Sequence, residues 1–416
     1  MTNGTAFGEE VIAQAAKLRA SGLDANQIAG ILCKADPRGK NYGIGILLGK
    51  DGKPLPTSPT LLAYAERELK ESSSGSYLNS GAFKNEILEA VLEWQGVPES
   101  VRPNFQLLLP SDAGTGALQT AIQAASLLHE GFHTLSVEEL GWPAYKVLAA
   151  SARLAFQEYP SDGIASGSGV LPLYQAGPLN TTGKVPSSDV VKARVTAAHS
   201  AGVPVILDRA YSGFEFARRL AVTPTKVGAQ SNSYKDLMKE SFRNQLQPFI
   251  DAGVPFLAAI SPTKAFVTFA LRPCGFLLVF HPDEVQAKAL APKLAGMIRA
   301  RGSSFEHPIT RAFVKALVKD RAKLEAEHAV ALRRTAEAEQ QWLALAKGTP
   351  IEPLFSESYA GLFRNPKANP GAEREIYGAH LYPVFTEGRC RLNVTGLPAD
   401  PAQASAHVSF FAKFLS

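Results

Sequence analysis

Cysteine, methionine and tryptophan each occur only three times in the 416 residues. Cys33, Cys274 and Cys390 are odd in number and far apart, so they make neither a disulfide framework nor a metal cluster. Such sparse thiols suit a reducing cytoplasm, where the protein is expected. No apolar run approaches the roughly 18 residues a membrane helix needs, and no membrane partner is expected. The first twenty residues carry acids early and lack the apolar centre of a signal peptide. Charge of one sign is scarce too: 43 basic and 38 acidic residues leave a net +5, with no basic block interleaved with aromatics. Nucleic acid is therefore not an expected partner. No Gly-x-Gly-x-x-Gly with an acid at the required distance is present, which argues against a dinucleotide site.

What is present is ordinary for a globular chain: 45% hydrophobic and 19% charged residues, enough apolar side chain to exclude broad disorder. The length exceeds one common core and predicts two domains. Helical patterns cover Phe7 to Arg19 and Ala25 to Lys34, with a glycine-rich turn next at Asn41 to Gly45 and another turn at Asp51 to Pro54. From Thr60 onward, helical segments alternate with apolar runs at Phe105–Leu109, Thr134–Val137, Gly169–Tyr174, Val203–Leu207, Phe256–Ile260 and Gly275–Phe280. Runs without strict alternation read as strands covered on both faces, so the fold class is α/β with a mostly parallel sheet flanked by helices. Beyond His307 one long charged helix is expected from Thr310 to Ala346, its charges on a solvated face. The expected division is a large domain of residues 57–307 and a smaller α+β domain built from 1–56 and 308–416.

Five segments carry chemistry. In Ser261-Pro-Thr-Lys264 an apolar strand delivers a lysine into a short turn, with Arg272 eight positions on. An amine near apolar walls and another cation loses proton affinity and becomes a nucleophile for an aldehyde. Ser261 and Arg272 beside it can hold a phosphate dianion. Gly114 and Thr115 stand at a predicted helix start, where backbone N–H groups and the helix dipole favour an anion. Asp208 ends an apolar strand, with Tyr211 three residues on; by itself the carboxylate reads better as the cap of the next helix. Asn180 precedes a turn, and Trp142 lies before a proline. Arg391 stands in a strand pattern, where a guanidinium reads a carboxylate bidentately.

In this order and spacing the segments resemble the class I aminotransferases of pyridoxal 5′-phosphate (PLP) fold type I, within the aspartate/aromatic branch. The likeness runs from Asp36-Pro-Arg-Gly-Lys40 to Arg391-Leu-Asn-Val-Thr-Gly-Leu397. It implies that Lys264 joins the cofactor aldehyde and shuttles protons, that Asp208 binds the ring nitrogen, and that Asn180 and Tyr211 bind the ring oxygen. It further implies that Gly114, Thr115, Ser261 and Arg272 hold the phosphate, that Trp142 covers the ring, and that Arg391 grips the substrate α-carboxylate. By the same likeness Tyr77 reaches the phosphate of the other subunit in a homodimer with composite sites, and Ile44 and Gly45 close over an amino acid or 2-oxo acid substrate. No metal is expected.

Three residues depart from the family's pattern: Ala113 in place of a serine, Thr181 in place of a proline, and Tyr145 in place of a histidine behind the ring-binding carboxylate. Arg299, or alternatively Arg301, matches the arginine that crosses to the neighbouring site and binds a distal carboxylate, but the sequence after them departs as well. The expected activity is a ping-pong exchange of an amino group between an aspartate-like or aromatic amino acid and a 2-oxo acid. The alternative is a non-transaminating enzyme with the same cofactor.

Overall fold

The structure, a computed structural model, describes residues 2–221, 233–303 and 306–416. Ser304 and Phe305, which open the departing stretch after Arg301, lie outside the described residues. The chain divides into two compact units, one of Pro56–Pro178 and Pro186–Leu332, the other of Met1–Leu55, Leu179–Val185 and Arg333–Ser416.

The larger unit is built on a seven-stranded sheet. Across it the strands run Phe105–Leu108, Phe276–Phe280, Phe256–Ile260, Val205–Arg209, Val170–Gln175, Thr134–Glu138 and Ala155–Tyr159. Only Phe276–Phe280 runs against its two neighbours; the other pairs are parallel. The α/β class with a mostly parallel sheet is thus observed. Side chains alternate across each strand, so Phe256, Ala258 and Ile260 enter one core while Leu257 and Ala259 enter the core on the opposite face. Phe276–Phe280 divides in the same way. With both faces covered by helices such as Ala113–Ala124 and Tyr234–Gln245, every residue of these strands is buried. The edge strand Ala155–Tyr159 was not expected from its sequence, because Gln157 and Glu158 interrupt it and three of its five residues are exposed.

The predicted spine helix is two helices. Pro308–Lys319 ends at Asp320, and Arg321–Leu345 comes next. Asp320 leaves helical geometry, and its carboxylate accepts the Tyr64 hydroxyl at 3.0 Å. The first helix packs its apolar face into the larger unit, and Arg311 makes a buried ion pair with Glu68 there. Residues 308–332 therefore fall in the larger unit, and the boundary is at 332/333 rather than 307/308. The expected solvated charged face is there in part, with Lys319, Lys323, Arg333 and Glu337 exposed, but other charges turn inward. His328, Arg334 and Glu339 are buried, Arg334 donating to the carbonyls of Leu48 and Thr395 and Glu339 pairing with Arg364.

The smaller unit holds a three-stranded antiparallel sheet of Val384–Thr386, Arg389–Asn393 and Phe363–Arg364. The helix Ala25–Ala35 packs on the strand Val384–Thr386, while Thr2–Ala20 and Pro401–Phe414 pack on the helix Ala372–Gly378. Its core is aromatic: Trp342 stacks on Phe355 at 5.0 Å, and Tyr42 meets Phe411 edge-on at 5.0 Å. The segment Leu179–Val185, expected inside the large domain, belongs here. Val185 donates to the Ser358 carbonyl and Ala360 donates to the Gly183 carbonyl.

Candidate active site

Three parallel strands end together in the larger unit. Their register sets Asp208 between Gln175 and Ala259, and Ile260 leads directly into Ser261 and the short helix Pro262–Ala265. The carboxyl ends of parallel strands are where open α/β sheets bind ligands, because the backbone turns away there and leaves a crevice.

Asp208 is buried, and both its oxygens already accept: Oδ2 from the Tyr145 hydroxyl at 2.5 Å and Oδ1 from the Ala210 N–H at 2.9 Å. Desolvation raises its carboxyl above the usual range, while the Tyr145 and Ala210 donors and the Lys264 ammonium pull it down. Lys264 is half-buried, with Nζ 5.1 Å from the centroid of the Tyr211 ring. Burial lowers its proton affinity, Asp208 opposes that, and the Arg272 cation lowers it further. Amine, carboxylate and phenol ring therefore form one electrostatic group.

The second group is an anion cradle. Asp112 and Ala113 take left-handed φ values of 68° and 52°, turning the chain sharply from the strand Phe105–Leu108 into the helix Ala113–Ala124. A Cβ at Gly114 would sit 2.6 Å from the Cβ of Ser261, so only glycine lets the helix start approach the lysine strand this closely. The first N–H groups of that helix have no intrahelical acceptor and carry the positive end of its dipole. Thr115 lies in this first turn. Arg272 has φ 41°, its N–H bonded to the Thr268 carbonyl. Trp142 is half-buried and meets the Tyr145 ring edge-on at 5.6 Å.

A desolvated carboxylate, an amine of lowered basicity and a helix start with no room for a Cβ at Gly114 suit a cofactor that has a ring nitrogen, an aldehyde and a phosphate. Among the described residues no cluster of metal ligands exists, and no described helix is long and apolar enough to cross a membrane.

The remaining candidates lie on other segments. Arg391, in the smaller unit, stacks on Phe363 at 4.3 Å; its Nη2 donates to the Gly43 carbonyl at 3.1 Å and to Asn26. The carbonyl of Ile44 accepts from Asn393 at 2.7 Å, and Gly45 is exposed beside it. Asn180 is half-buried within a turn that Leu179 and Gly183 close by backbone bonds. Tyr77 is 83% exposed. Arg299 is exposed on the helix Glu284–Gly302. Arg301 instead donates to the Gly116 carbonyl at 3.2 Å, to Gln119 and to Thr120.

Sequence reasoning missed the buried network behind Asp208. Arg209, fully buried, donates to Gln95, Ser241 and the Ala176 carbonyl. Only the charge of Arg209 inside an apolar strand hinted at it.

Residues 41–343 match the family described as aminotransferase class I and II. The chain belongs to that family. No curated protein sequence matches it. Among solved structures, the aromatic-amino-acid aminotransferase of Burkholderia pseudomallei, covalently bound to pyridoxal phosphate, is 18% identical. The match covers 93% of this chain and 96% of that one, with a TM-score of 0.72. The aspartate aminotransferase of Saccharomyces cerevisiae cytoplasm is 18% identical over 94% and 97%, with a TM-score of 0.71. The broad specificity aminotransferase of Leishmania mexicana is 18% identical over 92% and 95%, with a TM-score of 0.69. At this identity the structures share the fold. The family carries the rest: an aminotransferase that uses PLP, with amino acid and 2-oxo acid substrates, rather than a non-transaminating enzyme.

Proposed function

We propose that this aminotransferase runs a ping-pong exchange in which Lys264 is both the attachment point of PLP and the acid/base that moves the substrate's α-proton. The observation that carries the reading is the Lys264 amine, half-buried, lowered in basicity and facing Asp208 and Tyr211.

When bound, the cofactor supplies an aldehyde carbon that takes the amino group and a ring that spreads the resulting electron pair. Everything else falls to the protein. A lysine of lowered proton affinity presents a larger neutral fraction, which is the form that attacks a carbonyl carbon and accepts a proton. Asp208, whose two oxygens accept from Tyr145 and the Ala210 N–H against the upward push of burial, places negative charge at the ring nitrogen and keeps it protonated. Tyr211 and Asn180 donate at the ring oxygen. Gly114, Thr115, Ser261 and Arg272 take the phosphate by backbone N–H, hydroxyl and guanidinium donors. Trp142 excludes water from one ring face. Arg391 orients the substrate through its α-carboxylate, Ile44 and Gly45 close over it, and Arg299 reads a distal carboxylate when the substrate has one.

The reading extends to a homodimer in which Tyr77 serves the partner's site; an exposure of 83% for a tyrosine is consistent with a side chain that waits for a second subunit. A cytoplasmic setting is supported by three cysteines without a disulfide. Replacing Lys264 with alanine tests the centre of the proposal. Turnover should vanish while the variant still holds the cofactor without a borohydride-reducible bond; full activity would refute the assignment.

A further inference from the structure

Arg209 is fully buried one residue after Asp208 and two before Tyr211. Val205 and Leu207 enter one core and Ile206 the other, so strand alternation sends Arg209 to the face opposite Asp208. There its Nε and Nη2 donate to Gln95 Oε1 at 3.3 and 3.2 Å. Its Nη1 donates to the Ala176 carbonyl at 3.2 Å and to the Ser241 hydroxyl at 3.1 Å. We propose that Arg209 is a positioning residue that fixes the turn carrying Tyr211 and so sets the reach of that phenol toward the cofactor's ring oxygen. The inference rests on the assignment of PLP to this site and of Tyr211 to its ring oxygen.

The turn is held at both of its ends by the same acceptor. Ser212 Oγ donates to Gln95 Oε1 at 3.1 Å and to the Arg209 carbonyl at 2.9 Å, so the residues before and after Tyr211 meet one amide oxygen. Glu215 accepts from Ser241 and from the Gly213 N–H, and its Oε1 lies 3.9 Å from Arg209 Nη1. Ala176 donates its N–H to the Asp208 carbonyl at 2.8 Å while its own carbonyl takes Arg209, which ties the neighbouring strand to both residues. One guanidinium thereby joins the strand Val205–Arg209, the end of Val170–Gln175, the residue after the helix Lys84–Trp94, and the helix Tyr234–Gln245. The donors of a guanidinium stand in a fixed fork, so acceptors at set places make it a rigid spacer rather than filler. The Tyr211 ring meets Phe214 edge-on at 5.6 Å and lies 5.1 Å from Lys264 Nζ. Any movement of the turn carries the phenol with it.

The readout is the pH midpoint at which the absorbance of the lysine–cofactor linkage changes in the holoenzyme. A donor on the ring oxygen stabilises the form that lacks the linkage proton, and so lowers that midpoint. Arg209→Met, which releases the turn, should raise the midpoint by about one pH unit, the worth of one hydrogen bond. PLP affinity should fall by up to about tenfold with it. In a Tyr211→Phe background the same substitution should move the midpoint no further, because the donor through which it acts is already gone. An unmoved midpoint in Arg209→Met overturns the proposal, and so does an equal shift in both backgrounds, which is what general loosening gives. If Arg209→Met does not fold, Gln95→Leu, which frees Arg209 and Ser212 together, is judged by the same two comparisons. Tyr211→Phe alone tests the underlying assignment. A wild-type midpoint there would remove Tyr211 from the ring oxygen and take this inference with it, a failure distinct from that of Arg209.

Discussion

Lys264 Nζ stands 5.1 Å from the centre of the Tyr211 ring, and the Asp208 carboxylate acts on the same amine. A cation over an aromatic face is stabilised, and so is one near a carboxylate, yet burial and the Arg272 cation outweigh both and lower its proton affinity. An amine of ordinary basicity would be almost wholly protonated near neutrality and poor at attack. Removing a neighbouring cation should therefore raise the lysine's proton affinity. Arg272→Gln should shift the acid limb of kcat/KM to higher pH and weaken phosphate binding. A pH–rate profile with its acid limb unmoved would show that the guanidinium does not reach the amine.

Gly114 is tested by alanine. The new Cβ would lie 2.6 Å from the Ser261 Cβ, a distance that forces the helix start and the lysine strand apart. Overpacking of this kind costs about 1–3 kcal/mol. Because both flanking segments belong to the anion cradle, the expected loss appears in PLP affinity more than in unfolding free energy. Equal loss in both, or loss in stability alone, would mean that the close approach serves packing only.

How far the sequence foretold this arrangement depends on where each interaction partner lies. Phe256–Ile260 and Phe276–Phe280 were legible because a strand buried on both faces has no polar residue to interrupt it. Ala155–Tyr159 was not, since an edge strand with exposed Gln157 and Glu158 looks like a loop. The buried charges of Arg321–Leu345 misled, unlike the exposed Lys323, Arg333 and Glu337, because their partners lie outside the helix. Glu339 pairs with Arg364 and Arg334 reaches the carbonyls of Leu48 and Thr395, contacts that helical spacing cannot reveal. The same limit applies at the site. The strand-end positions of Lys264 and Asp208 were readable, and the resemblance put Tyr145 behind Asp208, whereas the bond of Arg209 to Gln95, 114 positions away, emerges only in the folded chain.

Arg391 stacks on Phe363 with one nitrogen tied to the Gly43 carbonyl, so its plane is set before any substrate arrives. Lysine can neither stack in that way nor present a two-pronged edge. Arg391→Lys should lower kcat/KM by about 10- to 100-fold, equivalent to losing about 1.5–3 kcal/mol of charged hydrogen bonding. Most of the effect should fall on KM. An amine substrate that lacks the α-carboxylate should be indifferent to the change. If both substrates suffer alike, the guanidinium is structural.

His328 gives the sharpest pH prediction for stability. It lies fully buried among Trp94, Phe214 and Phe266, with Nδ1 2.7 Å from the Tyr234 hydroxyl, and burial pushes its pKa down from 6.5 to about 3. In the folded chain it therefore stays neutral, while in the unfolded chain it takes a proton below about pH 6.5. The unfolded state then binds more protons, and stability falls with decreasing pH by up to about 1.4 kcal/mol per unit between those two values. Above about pH 6.5 neither state is charged and this contribution is constant. His328→Asn, which keeps an acceptor for Tyr234, should be less stable at neutral pH by about 1–3 kcal/mol. It should also show a flatter loss between about pH 6 and about pH 4. Urea unfolding at several pH values measures both, and parallel curves for the two proteins would mean that the imidazole is not what couples this core to acid.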